Sequence, residues 1–126
     1  MTLLLDTSVL IDHLRGNRAA RRALAGAVEE GARLAASVVV KVEVLAGMPP
    51  AEEQKTRRLL DALDWIHVDD DIAERAGLLA NRYLPSHPGV DPVDHIIAAT
   101  VELHDAVLWT RNIKHFPMFP DLEPPY

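Results

Sequence analysis

Asp6, Glu43, Asp94 and Asn112 carry side chains suited to phosphodiester chemistry assisted by a metal ion. Three are carboxylates and the fourth is an amide. Oxygen donors gathered without thiolates suit a hard cation, Mg²⁺ or Mn²⁺. Two such ions can activate a water and stabilise the leaving oxygen of a phosphodiester. The four residues lie far apart in the chain, so only a fold can assemble them. Each also has a plainer reading. Taken alone, Asp6 reads as a turn or cap residue. Asp91 and Asp94 resemble a capping pair around Pro92, and for Asp91 that reading is preferred. Glu43 reads as a solvated helix residue, but Val40, Val42, Val44 and Leu45 leave little polar face around it, which favours a site. Asp69-Asp70-Asp71 is a louder acidic run, explained by a cap and a favourable helix dipole.

Other chemistries are excluded by what is missing. The chain has no cysteine, which rules out disulfides, thiolate metal sites and cysteine nucleophiles together. The six histidines, at 13, 67, 87, 95, 104 and 115, show no HExxH or His-x-His spacing. Ser8 lacks a G-x-S-x-G context, and neither nucleotide-binding glycine loop is present. The net charge is −6, which argues against a broad basic surface for nucleic acid. That charge is uneven: residues 1–60 hold nine basic and seven acidic side chains, and residues 61–126 hold four and twelve. Ten of the 13 basic residues are arginine, the better fork for phosphate. Arg15, Arg18, Arg21 and Arg22 cluster at the start of the second helix, the last three on one face, which reads at least equally as a solvated surface.

The elements that must position these residues alternate. Leu3-Leu4-Leu5 reads as a strand buried on both faces. Thr7 is expected to cap a helix from Ser8 to Leu14, stopped by Gly16, and Asn17 to cap a second running to Glu30. Leu34–Ala36 reads as a strand, followed by a helix capped by Ser37 and closed by Gly47. Pro49-Pro50 opens a helix through Leu63, and Trp65–Val68 reads as a third strand. A helix follows the aspartate run, another runs from Asp91-Pro92 to His104, and Ala106–Trp109 reads as a fourth strand. A short helical turn after Asn112 precedes a proline-rich tail with room for one short strand. Trp65 and Trp109 read as strand core. The order predicts one domain over residues 1–126, a three-layer α/β/α sandwich around a parallel sheet of four to five strands. In such sheets the site lies beyond the carboxyl ends of the strands.

In combination the motifs are specific. Leu5-Asp6-Thr7-Ser8-Val9-Leu10-Ile11 resembles the opening signature of PIN-domain proteins, especially VapC-like toxins of type II toxin–antitoxin systems. Val42–Gly47 resembles the family's glutamate helix, Asp94–Thr100 its aspartate helix and Thr110–Phe116 its closing motif. The resemblance implies a PIN-like, Rossmann-like fold and a metal-dependent endoribonuclease acting as a toxin. Asp6, Glu43 and Asp94 would then hold Mg²⁺ or Mn²⁺. Asn112 stands where many members have Asp, which leaves one ion or two open. Hydrolysis of this type leaves a 5′-phosphate and a 3′-hydroxyl. Ser8, Thr110, Arg111 and Lys114 become candidates for RNA contact or for orienting the site. The family also implies a cognate antitoxin protein and a homodimer or toxin–antitoxin hetero-oligomer. Val9, Leu10, Leu14, Leu24 and Val28 are candidates for the antitoxin contact, with core packing as their default. No segment resembles a signal peptide or a membrane span, and with no cysteine this leads to a cytoplasmic expectation.

Three rivals stand beside this reading. A receiver-like phosphoacceptor would use Asp69 and Lys114, but it has no need of Glu43. An Asp-x-Asp phosphatase would need a carboxylate where Ser8 stands. A catalytically degenerate PIN-fold binding module is favoured only by Asn112.

Overall fold

A computed structural model describes all residues, 1–126. Four strands, β1 (Thr2–Leu5), β2 (Arg33–Ser37), β3 (Asp64–Ile66) and β4 (Val107–Trp109), form one parallel sheet in the order β3-β2-β1-β4. Six helices connect them: α1 (Thr7–Leu14), α2 (Arg18–Glu29), α3 (Val38–Ala46), α4 (Glu53–Asp61), α5 (Asp70–Tyr83) and α6 (Pro92–Leu103). The three-layer arrangement is as expected. The strand count settles at four, because the proline-rich tail forms no strand.

β1 lies inside the sheet, with Leu3 opposite Leu34 on one side and Val107 on the other. Leu3, Leu4 and Leu5 are at most 2% exposed, as an unbroken apolar run predicts. Each such burial stabilises the fold by about 1.5–3 kcal/mol. From β1 the chain steps outward to β2 and β3, then returns to place β4 on the opposite side of β1. Right-handed crossovers therefore put α1–α4 on one face and α5–α6 on the other. Packing agrees: α1 meets α2 and α3, whereas α5 and α6 pack on each other. The reversal of direction leaves a crevice beyond the carboxyl ends of β1 and β4, the usual location of a ligand site in an open parallel sheet.

Several boundaries differ from expectation. Asp6, not Thr7, is the N-cap of α1, and its carboxylate accepts the Thr7 backbone N–H. Residues Pro50–Glu52 form a 3-10 turn before α4, which ends at Asp61 rather than Leu63. β3 is shifted to Asp64–Ile66. The stops after α1 and α2 are as read: Gly16 and Gly31 adopt φ of 81° and 86°, the left-handed region that favours glycine. Asp69 caps α5 by accepting the Ile72 N–H. Trp65 and Trp109 are half-buried against the core, and the Trp65 indole donates to the Leu60 carbonyl.

Candidate active site

The crevice is an open cavity of about 540 Å³ lined by Asp6, Thr7, Ser8, Ile11, Asp12, Arg15, Glu43, Asp91, Asp94, Arg111, Asn112 and His115. Ile11 is the one hydrophobic residue among them. All four residues singled out for metal-assisted chemistry meet here, although they come from four separate segments.

Asp6 is 4% exposed, at the junction of β1 and α1. One carboxylate oxygen accepts the Thr7 N–H at 2.8 Å. The other accepts the Thr110 hydroxyl at 2.6 Å and the Ser8 hydroxyl at 3.2 Å. These donors offset the cost of burying a charge. Thr110 follows β4 and is itself fully buried, so its hydroxyl ties the two strand ends together. The Ser8 hydroxyl accepts the Arg111 N–H at 3.0 Å, and the Thr110 hydroxyl accepts the Asn112 N–H at 3.0 Å. Ser8 and Thr110 thus orient the site, by binding Asp6 on one side and the closing motif on the other.

Glu43 projects from the second turn of α3 and is exposed. Its carboxylate accepts the Thr7 hydroxyl at 2.6 Å, across 36 residues of sequence. Asp94 sits in the first turn of α6. Burial raises its pKa to about 6; the His115 ring counteracts this, and the Asp6 and Asp91 charges add to it. Like-charge repulsion is therefore secondary to desolvation. The His115 Nδ1 lies 3.3 Å from the Asp94 carboxylate. Asp91 does cap α6, accepting the Val93 N–H at 2.7 Å, and it also lines the cavity.

Two sequence candidates fall elsewhere. Lys114 is exposed and does not line the cavity. Asp69 caps α5 outside it, so the cavity of this fold does not serve the phosphoacceptor rival. Sequence reasoning missed Asp12 and His115 as site residues, and it grouped Arg15 with the basic cluster of the second helix rather than with the cavity. Ser8, Asp12 and Arg15 follow the i, i+4, i+7 spacing of one helix face, a pattern that could have joined Asp12 and Arg15 to Ser8. The His115–Asp94 contact joins the short 3-10 turn Ile113–His115 to α6 and has no local signal.

The donor set suits a hard divalent cation: its acidic groups are all carboxylates, and one of them carries a raised pKa. No three acidic or histidine side chains converge closely enough to hold an ion without side-chain rotation. Instead each of Asp6, Glu43 and Asp94 faces a neighbouring side chain: Thr110, Thr7 and His115 respectively.

The PIN-domain family profile matches residues 3–117. Ribonuclease VapC19 of Mycobacterium tuberculosis is 48% identical over 123 residues, covering 98% of both chains. Ribonuclease VapC10 of the same organism is 44% identical over 124 residues, covering 98% of this chain and 92% of that one. Among solved structures, a toxin–antitoxin complex from Klebsiella pneumoniae contains a chain that is 36% identical, with a TM-score of 0.80 over 98% of both.

Proposed function

The chain belongs to the PIN-domain family, and on that premise we propose that it is an endoribonuclease acting as the toxin of a toxin–antitoxin pair. The observation that carries the reading is the meeting of Asp6, Glu43, Asp94 and Asn112 in one acidic cavity at the β1–β4 crevice. The degenerate-module reading is not favoured, because the relatives are ribonucleases and the three carboxylates are all present.

Asp6, Glu43 and Asp94 would hold Mg²⁺ or Mn²⁺, with Asn112 adding an oxygen but no charge. When bound, such an ion polarises the scissile phosphate and lowers the pKa of an attacking water. The chain's own residues supply order. Thr110, Ser8 and the Thr7 N–H hold the Asp6 carboxylate in one orientation. The Thr7 hydroxyl holds Glu43. Arg111 offers a guanidinium at the rim, where phosphate must pass an otherwise repulsive set of carboxylates.

The antitoxin partner has a candidate seat away from the cavity. Leu14, Leu24, Val28 and Leu59 line an open groove of about 650 Å³ between α1, α2 and α4. Arg21, Lys55 and Arg58 rim it, which suits an amphipathic segment with acidic side chains. Val9 and Leu10, also considered for this role, are 0% exposed and belong to the core. No helix is long and apolar enough to cross a membrane. A cytoplasmic setting goes with an RNA substrate.

The test is incubation of purified protein with a pool of labelled RNA hairpins, with and without Mn²⁺. Metal-dependent cuts leaving 5′-phosphate ends are expected for the wild type and absent from Asp94→Asn. Equal cutting by the variant would overturn the site. No cutting by the wild type at any metal concentration would overturn the activity.

A further inference from the structure

Beside the carboxylates, the cavity rim carries a linked set of side chains, of which the proposed chemistry uses only Arg111. Asp12, on α1, accepts the Arg111 guanidinium at 2.8 Å and the Tyr126 hydroxyl at 2.6 Å, both on the same oxygen. The Arg111 guanidinium also lies 5.7 Å from the centre of the Tyr126 ring. Three segments distant in sequence thus converge on one guanidinium. Burial raises the Asp12 pKa, but the Tyr126 hydrogen bond and Arg111 outweigh it and hold the carboxyl below its ordinary value. Burial and the Asp12 carboxylate both push the Tyr126 phenol upward, so it stays protonated and donates.

The tether settles Arg111 beside an acidic cavity. Five carboxylates line the space: Asp6, Asp12, Glu43, Asp91 and Asp94. An untethered guanidinium at the rim is drawn toward whichever of them is least paired. Asp12 uses one N–H of Arg111, and the remaining donors of the fork stay free on a side chain 51% exposed. Arg15, the C-cap residue of α1 and one turn beyond Asp12, lines the same rim and forms no ion pair. The rim therefore presents two guanidiniums, one fixed and one free.

We propose that Asp12 and Tyr126 are positioning residues that fix Arg111 at the cavity rim, where with Arg15 it grips an RNA phosphate next to the one being cut. This inference rests on the ribonuclease reading, and it adds a substrate-binding subsite built from residues outside the metal-ligand set. Asp12 and Tyr126 act through Arg111 and do not touch substrate.

The experiment uses a single RNA hairpin chosen because the wild type cuts it. Tyr126→Phe keeps the ring and removes the hydroxyl. KM should rise about 3- to 10-fold, the worth of one hydrogen bond, with kcat within about twofold. Asp12→Asn should move KM in the same direction, and serves if the first variant loses its fold. Arg111→Ala and Arg15→Ala should each raise KM and flatten the slope of log KM against log salt by about 0.7, the signature of one lost phosphate contact on a single strand. Adding Tyr126→Phe to Arg111→Ala should change KM no further. An unchanged KM in Tyr126→Phe and Asp12→Asn, a fall in kcat alone, or additive effects in the double variant would each overturn the inference. So would an unchanged salt slope in Arg111→Ala. A wild type that cuts no hairpin of the pool would instead remove the ribonuclease reading, and this inference with it.

Discussion

The acidic cavity and the apolar groove lie on opposite sides of α1 in character as well as in neighbours. The cavity is lined by hydrogen-bonded polar groups from both ends of the chain, and the contact of Thr110 with Asp6 crosses 104 residues of sequence. The groove is lined by aliphatic side chains of α1, α2 and α4 with cations at its rim, and Lys55 is tied there to the Leu14 carbonyl at 2.7 Å. The difference teaches how one small domain keeps two contacts apart. Carboxylates suit a cation and, through it, a phosphate. An apolar trough suits another protein, since burial of apolar surface drives such association. α1 serves both: Ser8, Asp12 and Arg15 face the cavity, and His13 and Leu14 face the groove.

This division can be broken or sharpened by substitution. The largest effect belongs to the cavity. Asp94→Asn should lower RNA cleavage by more than the roughly 10- to 100-fold that the loss of an outer-shell partner costs, with the fold intact by circular dichroism. It is a cleaner variant than Asp6→Asn, because an amide at position 6 would meet the hydroxyl donors of Ser8 and Thr110. Next comes Thr110→Val, which removes the buried donor to Asp6. It should cost about 1–3 kcal/mol in urea unfolding and weaken Mn²⁺ binding, measured by calorimetry. On the other side, Val28→Asp places a charge in the groove at a side chain 55% exposed. It should leave RNA cleavage and stability nearly unchanged, within about 0.5 kcal/mol, and weaken capture of a co-expressed antitoxin. If it disabled cleavage equally, the two regions would not be separable.

The smallest effect is a pH dependence of the metal-free protein. Asp94 has a folded pKa of about 6, above the unfolded value, so the folded state holds its proton more tightly. Its contribution is neutral below the unfolded pKa, becomes unfavourable as pH rises toward 6, and is fully unfavourable above that. In EDTA, Asp94→Asn should therefore gain stability over the wild type at pH 7 but not at pH 3.5. A gain equal at both values would show that the Asp94 charge is not the cause.

Much of the fold was legible because local signals agreed with global ones. The wholly apolar Leu3–Leu5 run marked an interior strand, and Asn17, Ser37, Asp69 and Asp91 each cap a helix as read. Where the reading slipped, two local solutions were nearly equivalent. Asp6 and Thr7 are both good N-caps, and the choice of Asp6 follows from its place at the end of β1, which directs its carboxylate back onto the first turn. The four chemical residues were also legible, as were Ser8 and Thr110, which orient Asp6; the partners of Asp94 and Asp12 were not. His115 and Tyr126 matter only through the carboxylates that the fold sets beside them.

The sequence by itself determined the alternation of strands and helices, the oxygen-only chemistry and the family, because these depend on residue type and short-range spacing. Only the tertiary structure decided that the carboxylates share one cavity and that Asp94 is the one whose proton is held back. It also decided that Asp12, Arg111 and Tyr126 form one unit. Those facts arise from distances and burial between segments up to 114 residues apart. Electrostatic interaction depends on separation in space and on exclusion of water, and neither can be read along a chain.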